Sequence, residues 1–194
     1  LKPQFEQIAP VSELDFADDK GTRFELTVTA TRTLGKMVGA EAAAEQLIRS
    51  SQQRLNQART AVAPYRNRPL AVVQFVDSRH LRIYGESSLY HAVMTQLGLQ
   101  NAWRGESNAW GFANIPLTRL AQLPPDTLLL IVPPHPPLVQ HALQKNAVWQ
   151  RLPFAQSANR RVLDHSWSYG ALPSMTHFAD QLANRLPDTR ERPW

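Results

Sequence analysis

The sequence predicts an α/β fold, a mostly parallel sheet flanked by helices. Strand-length segments recur at Leu70–Val76, Thr127–Val132 and Arg161–Asp164, and stretches of helical spacing separate them. The first two are near-continuous apolar runs, as strands covered on both faces require. With 194 residues, 43% of them apolar and 19% charged, the chain has the length and composition to bury a sizeable core without cross-links.

Residues 1–20 hold a short apolar turn with Phe5 and Ile8, a break at Ala9-Pro10, and an alternation from Val11 to Phe16 that predicts one strand. From Arg23 to Val38 the apolar residues Leu26, Ala30, Leu34, Met37 and Val38 recur at helical spacing, and Gly39 is placed to end that helix. Glu41–Ala63 repeats the pattern, with Ala44, Leu47, Ile48, Leu55, Ala58 and Val62 on one stripe. Such a helix reaches about 35 Å, so it is either one wall of a bundle or a strut between two lobes. Pro64 and Pro69 mark a change of texture. Leu70–Val76 is apolar except for Gln74, Asp77–His80 reads as a turn, and Leu81–Tyr84 as a short return strand. Ser87 or Ser88 caps a helix bearing Leu89, Tyr90, Val93, Met94 and Leu97, which Gly98 closes. Asn101–Phe112 is irregular, and Asn114-Ile115-Pro116 is predicted to open a helix that runs to Leu123. After Thr127–Val132 comes the proline cluster Pro133–Pro137, then helical Leu138–Leu143, Val148, Trp149 and Leu152. Arg161–Asp164 is the third strand and Pro173–Leu186 a closing helix. Residues 66–194 therefore form an α/β domain, with ligands expected at the carboxyl ends of its strands.

Composition excludes several functions. The net charge of +5 is scattered, without a block of five like charges, which argues against nucleic acid. The longest apolar runs fall far short of the roughly 18 residues a membrane span needs. There is no cysteine, hence no disulfide, thiolate ligand or thiol nucleophile. A start at Leu1-Lys2-Pro3 points to a cut chain. The six histidines form no i, i+4 pair and no HExxH, so no metal site is expected. Asp77–His80 and Asp164-His165-Ser166 contain triad residue types but lack a glycine-flanked nucleophile elbow, and no phosphate-cradling glycine motif follows a strand.

Aromatic placement is the informative feature. Trp110, with Asn108 and Gly111, falls in the irregular segment; Trp167 and Tyr169 fall just past the third strand. At strand ends, beside Asn, Ser and Gly, such rings suit a bulky, partly polar organic ligand held by contact area. Trp103 and Trp149 read as caps on the core.

Several segments carry a resemblance: Asp77-Ser-Arg-His80, Tyr84-Gly-Glu-Ser-Ser-Leu89, Leu97–Gly111, Val148–Phe154, Ser166–Ala171 and Met175-Thr-His-Phe178. In that order the chain resembles the periplasmic substrate-binding proteins of iron-siderophore ABC importers, most closely those for ferric hydroxamates such as ferrichrome. The resemblance implies two α/β lobes joined by one long helix, with a shallow cleft between them. Residues 1–40 would then be a remnant of the amino-terminal lobe, 41–65 the connecting helix and 66–194 the carboxyl-terminal lobe. It implies a non-enzymatic periplasmic protein in which Asn108, Trp110, Trp167 and Tyr169 meet the siderophore. Hydroxamate oxygens already wrap the iron, so no cofactor or protein metal ligand is needed, and the cargo passes to an inner-membrane permease. Family members carry more chain at the amino end, with an Arg and a Tyr for the siderophore, so half the cleft is expected outside this sequence. Phe112 replaces a small hydroxyl residue, Ala109 an aromatic one, and Thr118 an acidic residue that docks on the permease. The alternatives are another bulky chelate (catecholate siderophore, haem or cobalamin), or an enzyme or scaffold with an accidental aromatic cleft, whose signature would be a functional nucleophile near Ser166 or Ser168.

Overall fold

The computed structural model describes residues 2–14 and 22–190. A short helix α1 (Lys2–Glu6) begins the chain. Val11–Leu14 is irregular rather than extended in a sheet, and the rest of the expected strand, Asp15 and Phe16, lies outside the described residues. Helix α2 (Arg23–Met37) starts at a capping box: the Thr22 hydroxyl accepts from the Glu25 amide while the Glu25 carboxylate accepts from the Thr22 amide. Gly39, at φ 67°, turns the chain into α3 (Glu41–Ala61).

Strand β1 (Pro69–Phe75) is the centre of the sheet. It returns through the Asp77 turn into antiparallel β2 (His80–Tyr84), pairing Val73 with Ile83, Gln74 with Arg82 and Phe75 with Leu81. Ser88 caps α4 (Leu89–Leu97) by accepting from the His91 amide, and Gly98 ends it at φ 73°. The two-residue β3 (Gln100–Asn101) runs parallel to the start of β1, on the edge whose far end β2 occupies. Strand β5 (Leu128–Ile131) pairs with β1 and β6 (Arg160–Val162) with β5, both parallel. Strand β4 (Phe112–Pro116) pairs antiparallel with β2. Among the described residues the order is therefore β4-β2-β1-β5-β6, mostly parallel. Helices α5 (Val139–Gln144) and α6 (Ala147–Arg151) follow β5, and α7 (Leu172–Arg185) follows β6.

β4 corrects the helix expected from Asn114. Phe112 and Ile115 are buried and five residues ladder onto β2, so cross-strand pairing overrides the Asn-Ile-Pro signal. Pro116, lacking an N–H, sits at the strand's end. The turns Leu117–Gln122 that follow are a 3₁₀-helix.

Strand residues alternate between two cores, because successive side chains point to opposite faces. Leu70, Val72, Leu128 and Leu130 face α4, α7 and the inner stripe of α3 (Leu55, Ala58); Ala71, Val73, Phe75, Leu129 and Ile131 face Val139, Leu143, Trp149 and Phe154. Both faces are covered, as a parallel sheet requires. Helix α3 lies against α7 and α2, and an Arg54–Asp180 ion pair ties it to α7. Trp103 and Trp149 are core residues as read from the sequence: Trp149 meets Phe75 edge to face at 5.8 Å, and Trp103 is 7% exposed.

Candidate functional site

Beyond the carboxyl ends of β1, β5 and β6 the sheet opens into a groove of about 290 Å³. Its lining comes from Gln74 at the end of β1, Arg82 and Tyr84 on β2, Tyr90 on α4, Pro133-Pro134 after β5, and His165–Tyr169 after β6. The groove lies where crossover connections leave a parallel sheet, the usual ligand position in such folds.

A tight turn raises Trp110 beside this groove. The Asn108 side-chain oxygen accepts from the amides of Trp110 (3.0 Å) and Phe112 (3.2 Å), and the Asn108 carbonyl accepts from Gly111 (2.8 Å). Gly111 is required twice over. Its φ is 84°, and a Cβ there would stand 2.5 Å from the Ser88 Cα at the start of α4. The Gly111 carbonyl also accepts from the Gly85 amide (2.9 Å), locking the turn to the end of β2. Asn108 thus builds the turn, and Trp110 rides on it.

Of the four residues singled out from the sequence, Trp110 and Tyr169 come together from separate loops, edge to face with ring centroids 5.5 Å apart. Trp110 is 64% exposed, Trp167 66% and Tyr169 42%, so the rings face outward and are not packed into the core. Trp167 and Tyr169 line the groove, whereas Trp110 stands against it through Tyr169.

A buried aromatic chain supports the floor. Phe112 meets Tyr84 at 6.1 Å, Tyr84 meets Tyr90 at 4.7 Å, and Tyr90 meets Phe178 of α7 at 4.6 Å. Burial raises both phenol pKa values above the ordinary range, so each hydroxyl stays protonated and donates. Tyr90 donates to the Ser166 carbonyl (3.0 Å), which pins the loop carrying Trp167 and Tyr169 to α4. Tyr84 donates to Gln74 Oε1 (3.3 Å), and Gln74 Nε2 donates to the Pro134 carbonyl (3.0 Å).

Gln74, Arg82, Tyr84 and Tyr90 were not singled out from the sequence. One signal was present: Gln74 is the polar interruption of an otherwise apolar buried strand, and its cross-strand partner is Arg82. The triad-like residues have ordinary explanations. Asp77 accepts from the amides of Arg79 (2.6 Å) and His80 (2.7 Å) and meets the His80 ring at 3.0 Å, closing the β1–β2 turn; this ring contact, ahead of the amides, holds its carboxyl below the usual range. Ser166 Oγ is buried with no hydrogen-bond partner among the described residues.

Comparison with known proteins bears on this geometry. The chain is 27% identical over 180 residues to the iron(3+)-hydroxamate-binding protein FhuD of Escherichia coli, a match covering 93% of this chain and 60% of that relative. Among solved structures it resembles the siderophore-binding protein FhuD from Vibrio cholerae, bound to Fe3+–Desferal, with a TM-score of 0.85 and 22% identity over 97% of this chain and 71% of that one. It also resembles the triscatecholate siderophore-binding protein FeuA from Bacillus subtilis, with a TM-score of 0.70 and 17% identity over 96% of this chain and 67% of that one. At these identities the structural likenesses establish the fold. A family model for periplasmic binding proteins matches residues 3–166, most of the chain. Sheet order, groove position and this match together place the chain in the periplasmic binding protein family.

Proposed function

We propose that this chain is the cargo-binding part of an iron-siderophore ABC importer, holding a ferric hydroxamate complex and delivering it to an inner-membrane permease from the periplasm. The observation that carries the reading is the Trp110–Tyr169 pair, two exposed rings from separate loops in mutual contact at the mouth of a groove at the strand ends. Exposed indole and phenol faces held rigid by a turn and a pinned loop suit capture of a bulky organic shell by contact area. Trp110, Trp167 and Tyr169 supply those faces, and Asn108 contributes through the turn it builds and through its exposed amide. The iron is cargo, coordinated by hydroxamate oxygens, so the groove needs aromatic and hydrogen-bonding groups and no metal ligands. The role is binding, not catalysis. The hydroxamate-binding FhuD of E. coli, of which this chain spans 60% of the length, supports this cargo class.

Titration with ferrioxamine B, followed by tryptophan emission, tests the proposal, with iron-free desferrioxamine as control and a ferric tris-catecholate, haemin and cyanocobalamin as competitors for the reading. Saturable quenching by ferrioxamine B that the iron-free ligand does not reproduce is the expected result. Saturation by another of these chelates, with ferrioxamine B inert up to millimolar concentration, would refute the hydroxamate assignment.

A further inference from the structure

Among the described residues Arg161, on β6, is the only charged side chain that is buried, at 7% exposure. Its Nη1 donates to the carbonyls of Arg160 (2.8 Å), Ala158 (3.3 Å) and Ser157 (3.4 Å), but its Nε is buried without an acceptor. No carboxylate among the described residues lies within ion-pair distance of it. A buried cation answered only by neutral carbonyls, with one donor unmet, is costly to keep. Burial, the main cause, pulls its pKa below the ordinary arginine value; Arg68 acts in the same direction, Tyr65 and Asp188 against it.

Arg161 forms part of the wall of a small cavity of about 20 Å³, together with Ser157, Arg160, Arg185, Asp188 and Arg190. The cavity shares no lining residue with the aromatic groove. Its charge is unbalanced. Asp188 is occupied by Arg190, which reaches Oδ1 at 2.8 Å and Oδ2 at 3.0 Å. Arg185 gives Nη2 to Asp164 (2.6 Å), and its Nη1 stands 3.7 Å from Asp188, beyond hydrogen-bond reach. Four guanidinium groups thus meet two carboxylates, Asp188 and Asp164, an excess of two positive charges.

Size and charge together select the occupant. A space of this volume holds one particle of about the size of a water molecule, so phosphate, sulfate and organic carboxylates are too large. Water fits but leaves the charge excess unanswered. A spherical anion accepts from donors on every side at once, as Arg161 Nε and Arg185 Nη1 require.

We propose that this cavity is a binding site for a monovalent halide, chloride under physiological conditions, held between Arg161 and Arg185. The ion ties the carboxyl end of α7 to β6, and the site is independent of the cargo bound in the groove.

The test follows thermal melting of the 194-residue chain while sodium chloride replaces sodium gluconate, whose anion the cavity cannot admit. Constant ionic strength holds screening fixed. For a dissociation constant of about 10 mM, about 200 mM chloride should raise the melting midpoint saturably by about 3–6 °C. Bromide should act in the same way and give an anomalous scattering peak in the cavity in crystals. Arg161→Met and Arg185→Gln each remove one of the two charges that hold the ion, and each should cut the chloride-dependent rise by at least about half. Equal midpoints in chloride and gluconate, an undiminished rise in either variant, or a cavity without the bromide peak overturns the inference. Should neither variant fold, the salt comparison and the bromide peak on wild type decide the matter, and failure of either counts against it.

Discussion

Replacing Trp110 with alanine separates a binding role from a packing role, because the two predict different losses. A tryptophan presents up to about 250 Å² of surface. With 64% of Trp110 exposed, about 160 Å² is free for a ligand and about 90 Å² is already covered, taking that surface estimate. At about 25 cal/mol per Å², the covered part is worth about 2 kcal/mol to folding, and the free part caps the ligand contribution near 4 kcal/mol. Edge-to-face contact with Tyr169 adds about 1 kcal/mol to the folding side. Ordering of the bound complex consumes much of the ligand term, so a net loss of about 1–3 kcal/mol in affinity, or roughly 5- to 150-fold, is expected. Equilibrium dialysis against radioiron-labelled ferrioxamine B avoids relying on the emission of the deleted ring, and urea denaturation gives the stability change. A variant that loses about 3 kcal/mol of stability but less than about 0.5 kcal/mol of affinity would show Trp110 to be a packing residue and refute the aromatic-wall reasoning.

Three further outcomes follow from the same geometry. Gly111→Ala should lose at least about 2 kcal/mol in urea denaturation, because a side chain there meets both a left-handed φ and the Ser88 backbone; a loss below about 0.5 kcal/mol contradicts that close approach. Tyr90→Phe should cost about 1–3 kcal/mol by leaving the buried Ser166 carbonyl without a donor, and should loosen the Trp167–Tyr169 loop, seen as faster amide exchange there. His91 yields a pH dependence. Burial, the main cause, lowers its pKa below 6.5, and its Nδ1 faces the Asn101 side-chain amide at 3.4 Å. The unfolded chain therefore binds the proton more readily, so stability is fully present above the ordinary imidazole value and declines as pH falls through and below it. His91→Gln should flatten that decline in melting curves. An unchanged slope in the variant would assign the effect elsewhere; Asp77, whose carboxyl is held low, loses its contribution only at more acid pH.

Much of the fold was legible because periodicity and caps act locally. Helices α2, α3, α4 and α7 and strands β1, β2, β5 and β6 fall within a residue or two of the apolar spacings and the signals at Gly39, Ser88 and Gly98. The miss at β4 has a non-local cause: Phe112–Pro116 is a strand because β2 offers it an unpaired edge, and nothing within residues 112–116 records that edge. The long helix stayed ambiguous for the same reason, since spacing along α3 gives an apolar stripe and does not name α7 and α2 as what covers it.

The site divides along the same line. By itself the sequence determined that exposed aromatic residues sit in loops at strand ends, because indole and phenol groups beside Asn, Ser and Gly mark surface turns whatever the partners. Only the tertiary structure decided that Trp110 meets Tyr169, that the Asn108 carbonyl and side chain form the turn that carries Trp110, and that Arg82 stacks on Phe112. Those facts depend on β2 pairing at once with β1 and β4, and on α7 bringing the end of β6 beside α4. Contacts between residues far apart in the chain are set by how the layers close, and local patterning carries no record of that closure.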